Sequence, residues 1–447
     1  MKKIISILFV TMMVLSFIGI WKIVSSGYDK QNKIILTLKK IIPTKIAKEV
    51  KNTVFFVPNL INRNEYLELQ LRKFEQGLQG EMFSEKNISL ENKNYNYNLR
   101  NFFLPFPSLD INLGWKARKN NLRAHYLEII DDNVLVMSGA GETVYFKRKN
   151  INNPQLDLTR LKNNLEQTLT QKGAKLAAIR DLFYEDNYIY ISILETYNQK
   201  SFLNIYRAKK NFNNLNFEIF FKNDESIDGT FNLQTGGRIT SFLPNEILFS
   251  VGFFNKYKLA QDENSIFGKI ISINKDTRKY RLISIGHRNP QGLYFLKEKN
   301  LIINTEHGPN GGDEVNLNFL NKKKLINFGW PVASYGVPYP NQDKTFFQKN
   351  GYLKKSHSKN GFEEPLKNFS PSIGISEVTY NNNKLYVSSL RAESIYILEL
   401  SQDDKLKGET RIKFDSRIRD LKYDKENGIF LILFENIPAI GVLKFKS

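Results

Sequence analysis

The chain of 447 residues contains no cysteine. That excludes disulfide bridges and thiolate metal centres, and it is compatible with an oxidising compartment without identifying one. Histidine is scarce as well, with four residues in the whole chain. Acidic residues are outnumbered, 45 Asp and Glu against 65 Lys and Arg, which leaves a net charge of +20. Such an excess suits an anionic membrane surface, a nucleic acid or an acidic ligand. The lysines are spread along the chain rather than gathered in one stripe and no nucleic-acid motif accompanies them, so nucleic acid is not the expected partner. Apolar material is not lacking. With 41% hydrophobic and 13% aromatic residues the chain can pack a core and is not disordered by composition.

Residues 4–21 form an almost unbroken apolar run behind Lys2 and Lys3, long enough to cross a bilayer as a helix. Val24-Ser25-Ser26 is a poor cleavage site and Lys22 interrupts its approach, which favours an uncleaved membrane anchor over a cleaved signal in residues 1–27. The lysines from Lys30 to Lys51 put more positive charge after the span than before it, which alone would direct the bulk of the chain to the cytoplasm. They also suit a juxtamembrane helix lying on anionic headgroups. Residues 28–100 read as a short helical stalk and linker: Pro43-Thr44 opens one segment, residues 64–74 look amphipathic, and an Asn-rich stretch follows.

From residue 101 to 447 the pattern changes. A hydrophobic strand, a turn of Asp, Asn, Glu or Lys, and a second strand recur six times: YLEIIDDNVLVMSG, LFYEDNYIYISI, ITSFLPNEILFSVG, LYFLKEKNLIINTE, VTYNNNKLYVSSL and LKYDKENGIFLILF. The turns are spaced by about 53 to 59 residues for the first four, then by about 84 and about 43. This spacing predicts an all-β, six-bladed β-propeller whose long interval carries an inserted loop structure, with a large β-sandwich as the other architecture such strands can build.

The long interval holds the richest stretch, residues 286–331. Glycines, prolines and paired acids there sit between strand-like runs, as functional loops on a rigid scaffold do. The turn Glu306-His307-Gly308-Pro309-Asn310-Gly311-Gly312-Asp313-Glu314 has the glycines to turn carbonyls together beside three acids, an oxygen-rich setting for a hard cation such as calcium. Taken alone the metal signal is weak, and a polar turn with solvated acids is the plainer reading of the same residues. Arg288 and Asn289, in a turn bounded by glycine and proline, could hold a guanidinium fork for a carboxylate. Elsewhere, Gln234-Thr235-Gly236-Gly237-Arg238 precedes the third repeat, Arg391 follows the fifth, and Arg417 and Arg419 sit two apart on one strand face before the sixth. These arginines would make either a cationic mouth or ion pairs between blades.

The blocks GHRNPQGL, EHGPNGGDEVN and FGWP, in that order, resemble the quinoprotein sugar dehydrogenases, the soluble glucose and aldose (glucose/sorbosone) dehydrogenase family. The resemblance implies a six-bladed propeller that uses pyrroloquinoline quinone (PQQ) and calcium to oxidise an aldose at C1 to a lactone, passing electrons to an external acceptor. It implies that Arg288, Asn289, Arg391, Arg417 and Arg419 contact the quinone, Arg391 standing where soluble glucose dehydrogenases have a lysine, and that the carbonyls of Gly308 and Pro309 bind calcium. It also implies an exported protein, with the propeller in the periplasm or outside the cell, tethered through the N-terminal helix or cleaved and released.

The sequence departs from the family at Gln234, where the family carries the histidine that takes the proton from the C1 hydroxyl. Glutamine cannot act as a general base near neutral pH. An earlier glycine-rich block is also degraded, to Gln171-Lys172-Gly173-Ala174-Lys175-Leu176. Of the histidines that remain, His125 reads as structural, His287 and His307 as loop-orienting, and His357, in a Lys- and Asn-rich loop, as solvated. A non-catalytic glycan- or partner-binding propeller, or a calcium-dependent lactonase using metal-ligating acids at the axis, are the other functions such a chain could have.

Overall fold

Each of the six recurring units forms a two-stranded antiparallel hairpin, and further strands extend each hairpin into a sheet. A computed structural model describes residues 79–89, 96–104, 106, 124–229, 233–321, 324–435 and 437–446. The apolar run at residues 4–21 and most of the expected stalk lie outside the described residues. Among those described, no helix is long and apolar enough to cross a membrane.

The hairpin turns follow from their residues. Asp186 and Asn187 have φ of 49° and 65°, and Asn382 and Asn383 have 49° and 55°. Two left-handed residues in a row match the twist of paired strands, and Asn and Asp tolerate that conformation better than other side chains.

The inner strands His125–Ile130, Lys175–Glu185, Gly236–Ser241, Pro290–Leu296, Ile375–Asn381 and Ile418–Asp424 touch their neighbours in sequence order, and the last touches the first, closing a ring. They define blades 1 to 6. Strand periodicity then builds the core. On Tyr188–Tyr197, Ile189, Ile191 and Ile193 face blade 1 while Tyr190 and Leu194 face blade 3. Six apolar layers of this kind separate the six blades, which is why the strands read as nearly continuous hydrophobic runs.

One boundary differs from the expectation. Gln79–Ser89 and Asn96–Phe103 are strands, not helix or linker, and they pair in the order Ile418–Asp424, Ile429–Phe434, Ala439–Lys446, Asn96–Phe103, Gln79–Ser89. The propeller therefore includes residues from Gln79 onward, before residue 101, and its last blade joins both ends of the described chain. Tyr97 and Leu99 are buried while Asn98 and Arg100 are partly exposed, so the period-two alternation of a strand is hidden in an Asn-rich composition.

The long interval is an insertion in blade 4, between Asp313–Phe319 and that blade's fourth strand Lys367–Phe369. It crosses to blade 3, where Ile326–Asn327 pairs in parallel with Tyr280–Ile285, and it carries the short helix Lys344–Lys349. Beside it, Lys269 is fully buried, and its ammonium donates to the carbonyls of Leu259 (2.7 Å), Ala260 (3.1 Å) and Phe267 (2.7 Å).

Candidate functional site at one end of the propeller axis

In an antiparallel hairpin the start of the first strand and the end of the second lie at the same end. Gln234, Arg288, Asn289 and Arg417 precede the inner strands of blades 3, 4 and 6. Gly308, Pro309, Arg391 and Glu435 follow the second strands Leu301–Glu306, Lys384–Ser389 and Ile429–Phe434. Residues spread over two hundred positions are thus brought to one end of the axis by connectivity alone.

Hydrogen bonds link them into a closed circuit. Arg288 Nη1 donates to the His307 carbonyl (2.8 Å), and the adjacent Gly308 amide donates to Asp313 Oδ1 (3.2 Å). Asp313 Oδ2 accepts from the amides of Gly374 (2.7 Å) and Ile375 (3.0 Å), and Gly374 O in turn accepts from Leu390 N (2.7 Å). The Leu390 carbonyl takes Arg417 Nη1 (3.4 Å), Arg417 Nη2 reaches Glu435 Oε1 (2.9 Å), and Glu435 Oε2 holds Arg419 Nη2. Arg419 Nη1 donates to Gln291 Oε1 (2.9 Å), and Gln291 Nε2 donates to Asn289 Oδ1 (3.1 Å), beside Arg288. Asn289 Oδ1 also accepts Gly236 N (3.2 Å), which ties in the Gln234 turn.

Within this circuit the expected site residues have different surroundings. Arg288 is buried, with its guanidinium over Trp330 (5.2 Å) and Phe253 (5.7 Å), a cation held on aromatic faces. Arg391 is exposed and makes no ion pair among the described residues. Gln234 adopts φ of 57°, and its carbonyl accepts Phe254 N (3.2 Å). The Gly308 and Pro309 carbonyls are approached by the hydroxyls of Tyr339 (3.5 Å) and Ser372 (3.1 Å). Three buried polar atoms of this set have no hydrogen-bond partner: Gln234 Oε1, Arg288 Nε and Arg419 Nε.

The acids of the glycine turn are not solvated. Glu306, Asp313 and Glu314 are 3%, 1% and 4% exposed, and Glu306 spends its oxygens on Arg288 N (3.0 Å) and Asn316 Nδ2 (3.0 Å). Burial pushes the Asp313 carboxyl up, but the His307 imidazole and the backbone amide of Ile375 outweigh it and hold the group low. Among the described residues no three His, Cys, Asp or Glu side chains converge as metal ligands. The acids brace the loop.

His357 corrects a second expectation, since it is 1% exposed. Its Nδ1 meets the Phe328 carbonyl (2.9 Å), its Nε2 lies 3.2 Å from Glu314 Oε1, and its ring stacks on Tyr335. Burial pushes Glu314 up; burial alone would lower His357, but Glu314 raises it, so this pair keeps a proton to higher pH than either group alone. Together with Arg288, His307, Gly308, Phe328 and Trp330 it lines a small cavity under the glycine turn. Nearby, Lys355 Nζ donates to the carbonyls of Ser334 (3.4 Å), Tyr335 (2.5 Å) and Gly336 (2.6 Å).

Below the circuit, Arg238 pins the axis. Its Nη1 lies 2.8 Å from Asp181, 3.0 Å from Glu377 and 3.1 Å from Asp420, while its Nε donates to the Gln291 carbonyl (2.6 Å) and its Nη2 to the Arg419 carbonyl (3.1 Å). Asp420 reaches blade 1 through Leu127 N (2.8 Å), so all six blades meet at one guanidinium. The register of the inner strands explains the aim. In blades 2 to 6 it shifts at Arg180, Gly237–Arg238, Gln291, Ser376–Glu377 and Arg419. Bulges of this kind redirect side chains, here toward the axis. Gly237 (φ 114°) is required where two bulges meet, because a Cβ there would run into the Arg180 side chain.

Sequence reasoning missed Asp181, Gln291, Glu377, Asp420 and Glu435. A signal existed for two of them, since Ile179-Arg180-Asp181-Leu182 and Ile418-Arg419-Asp420-Leu421 are the same tetrapeptide in corresponding strands. Glu435 is a lone acid after a hydrophobic strand and carries no local mark.

The family model for Glucose / Sorbosone dehydrogenase matches residues 126–439. The chain is 27% identical over 303 residues to the uncharacterized protein slr1608 of Synechocystis sp., covering 60% of this chain and 69% of that protein. It is 25% identical over 227 residues to the aldose sugar dehydrogenase YliI of Escherichia coli, covering 45% of this chain and 57% of that enzyme. The fold is similar to that of the PQQ-bound aldose sugar dehydrogenase of Streptomyces coelicolor, with a TM-score of 0.53 at 18% identity over 72% of this chain and 93% of that one. With the family model covering most of the propeller, this chain belongs to the glucose / sorbosone dehydrogenase family.

Proposed function

We propose that this protein is a PQQ- and calcium-dependent sugar dehydrogenase in its binding apparatus, with turnover limited at Gln234. The observation that carries the reading is the closed circuit joining Arg288, Asn289, Arg419, Arg417 and the Gly308 turn around one mouth. The residues suit an anionic planar cofactor: Arg288 Nε and Arg419 Nε are donors without partners, and Arg391 adds an exposed charge. The oxygen-only donors at Gly308 and Pro309 suit a hard cation that takes its remaining ligands from elsewhere. When bound, the quinone supplies the two-electron acceptor for oxidation of an aldose at C1 to a lactone, and an external partner would reoxidise it.

The chain's own residues then divide the work. Arg288, held on Trp330 and Phe253, would bind the ligand, and Asn289 joins the Arg288 loop to the Gln234 turn. Gln234 Oε1 can accept a hydrogen bond from a sugar hydroxyl and orient it, but it cannot carry the proton away. This favours a second reading, a propeller that binds a glycan or partner without turning it over. Arg238 engages the axial acids that a lactonase would use for its metal, which weighs against that reading. The N-terminal apolar run supports tethering to a membrane, with the propeller in the periplasm or outside the cell.

The test is reconstitution. Adding calcium and PQQ to the purified protein should change the quinone absorbance and raise the melting temperature, because a ligand that binds only the native state stabilises it. Arg417→Ala with Arg419→Ala should abolish the shift. No shift in the parent would transfer the argument to the binding propeller.

A further inference from the structure

The two arginines expected to capture a cofactor carboxylate already hold one that belongs to the chain. Arg417 and Arg419 flank Ile418 and point to one side, and Glu435 lies between their guanidinium groups. One carboxylate oxygen takes Arg417 through Nη2 (2.9 Å) and Nε (3.3 Å); the other takes Arg419 Nη2. The Glu435 amide also donates to the Arg417 carbonyl (2.8 Å), so its position is fixed by backbone as well as side chain. Two positive charges shared with one negative charge leave a single net positive charge. Arg417 keeps 37% of its side chain exposed and Arg419 10%, so a ligand arriving from the mouth meets Arg417 first.

We infer that Glu435 is a specificity-determining residue, an internal counter-ion that keeps the Arg417–Arg419 fork formed without ligand and weakens its hold on an incoming carboxylate. This rests on the reading of the mouth as an anion-binding cofactor site. Burial pushes the Glu435 carboxyl up, but Arg419 and Arg417 outweigh it and bring it down to about 2, so no proton removes the negative charge in the range where the protein is used. A polycarboxylate entering the mouth shares the fork with a permanent neighbour of its own sign. Neutralising that neighbour should tighten binding by about ten- to a hundred-fold, as expected for one like charge a few ångströms away in a partly screened site.

The experiment is a calorimetric titration of the full chain in detergent with two probes: PQQ, and benzene-1,3,5-tricarboxylate, which is planar and carries three carboxylates but no quinone. Glu435→Gln should bind both more tightly than the parent, and the gain should shrink at high salt. Glu435→Ala provides a second neutral variant, without an amide to crowd Arg419, and Glu435→Asp, which retains the charge, should bind no more tightly than the parent. Asp403→Asn, on an exposed outer turn, removes one negative charge away from the circuit and should change nothing. Weaker or unchanged binding of both probes by the two neutral variants would overturn the inference, as would an equal gain in Asp403→Asn. A gain for the tricarboxylate, with PQQ binding no better than it in any variant, would uphold Glu435 while removing the cofactor reading. No binding of either probe by any variant would remove both.

Discussion

The axial pin makes a quantitative prediction about stability. Three carboxylates and one guanidinium share a space from which water is excluded, and like charges so close do not all ionise together. The resulting proton sits on Glu377: burial, with Asp420 and Asp181 beside it, pushes the group up to about 8, and Arg238 only partly offsets this. Such a carboxyl is protonated in the fold over a range where the unfolded chain has lost the proton. Stability therefore falls as pH rises from about 4.5 to about 8. The slope is at most about 1.4 kcal/mol per pH unit, so the window holds about 2 to 5 kcal/mol once coupling to the neighbouring acids is allowed for. Glu377→Gln removes the slope. Its amide nitrogen would face Arg238, a fixed penalty of about 1 to 2 kcal/mol, because the other oxygen position accepts the Val378 amide (2.8 Å). Urea unfolding from pH 5 to 8.5 should find the variant less stable than the parent at pH 5 and equal or more stable at pH 8. A difference that stays constant across the range, or grows against the variant as pH rises, would show that Glu377 is ionised in the fold and that the shared-proton argument is wrong.

Two further outcomes bear on function. Gln234→His should raise aldose oxidation with an artificial electron acceptor by up to about three or four orders of magnitude, chiefly in kcat, since a base acts on the transition state; strong activity in the parent, or no gain despite proven cofactor binding, would contradict the assignment of the missing base. In cell fractionation the full chain should stay with membranes through a high-salt wash that releases proteins held by lysines alone, and a mature chain starting near Gly27 would instead identify a cleaved signal.

The propeller was legible because its information is local. Each hairpin advertises itself by hydrophobic strands around an Asn- or Asp-containing turn, as at Asp186-Asn187 and Asn382-Asn383, and six of them at blade spacing leave few architectures. The mouth was legible in part, because Gly308, Arg288 and Arg417 lie at hairpin ends that any propeller brings together. Their partners were not legible. Gln291 and Glu377 turn toward the axis at register shifts, which depend on how two strands pair and leave no trace in one strand's composition. Asn96–Phe103 was lost for a related reason, since its strand alternation is carried by two apolar residues among asparagines. His357 looked like a loop residue because its burial comes from Phe328, Tyr335 and Glu314, all distant in sequence.

Lys269 and Lys355 each present an ammonium to three backbone carbonyls, an arrangement of the kind that elsewhere holds a bound cation. Because these cations are covalently attached, the loops they gather keep their shape whatever the free metal concentration, and no chelator can strip them. If calcium binds at the Gly308–Pro309 turn as proposed, the effect of a chelating agent on melting temperature or ligand affinity would arise there and not in the loops that Lys269 and Lys355 hold.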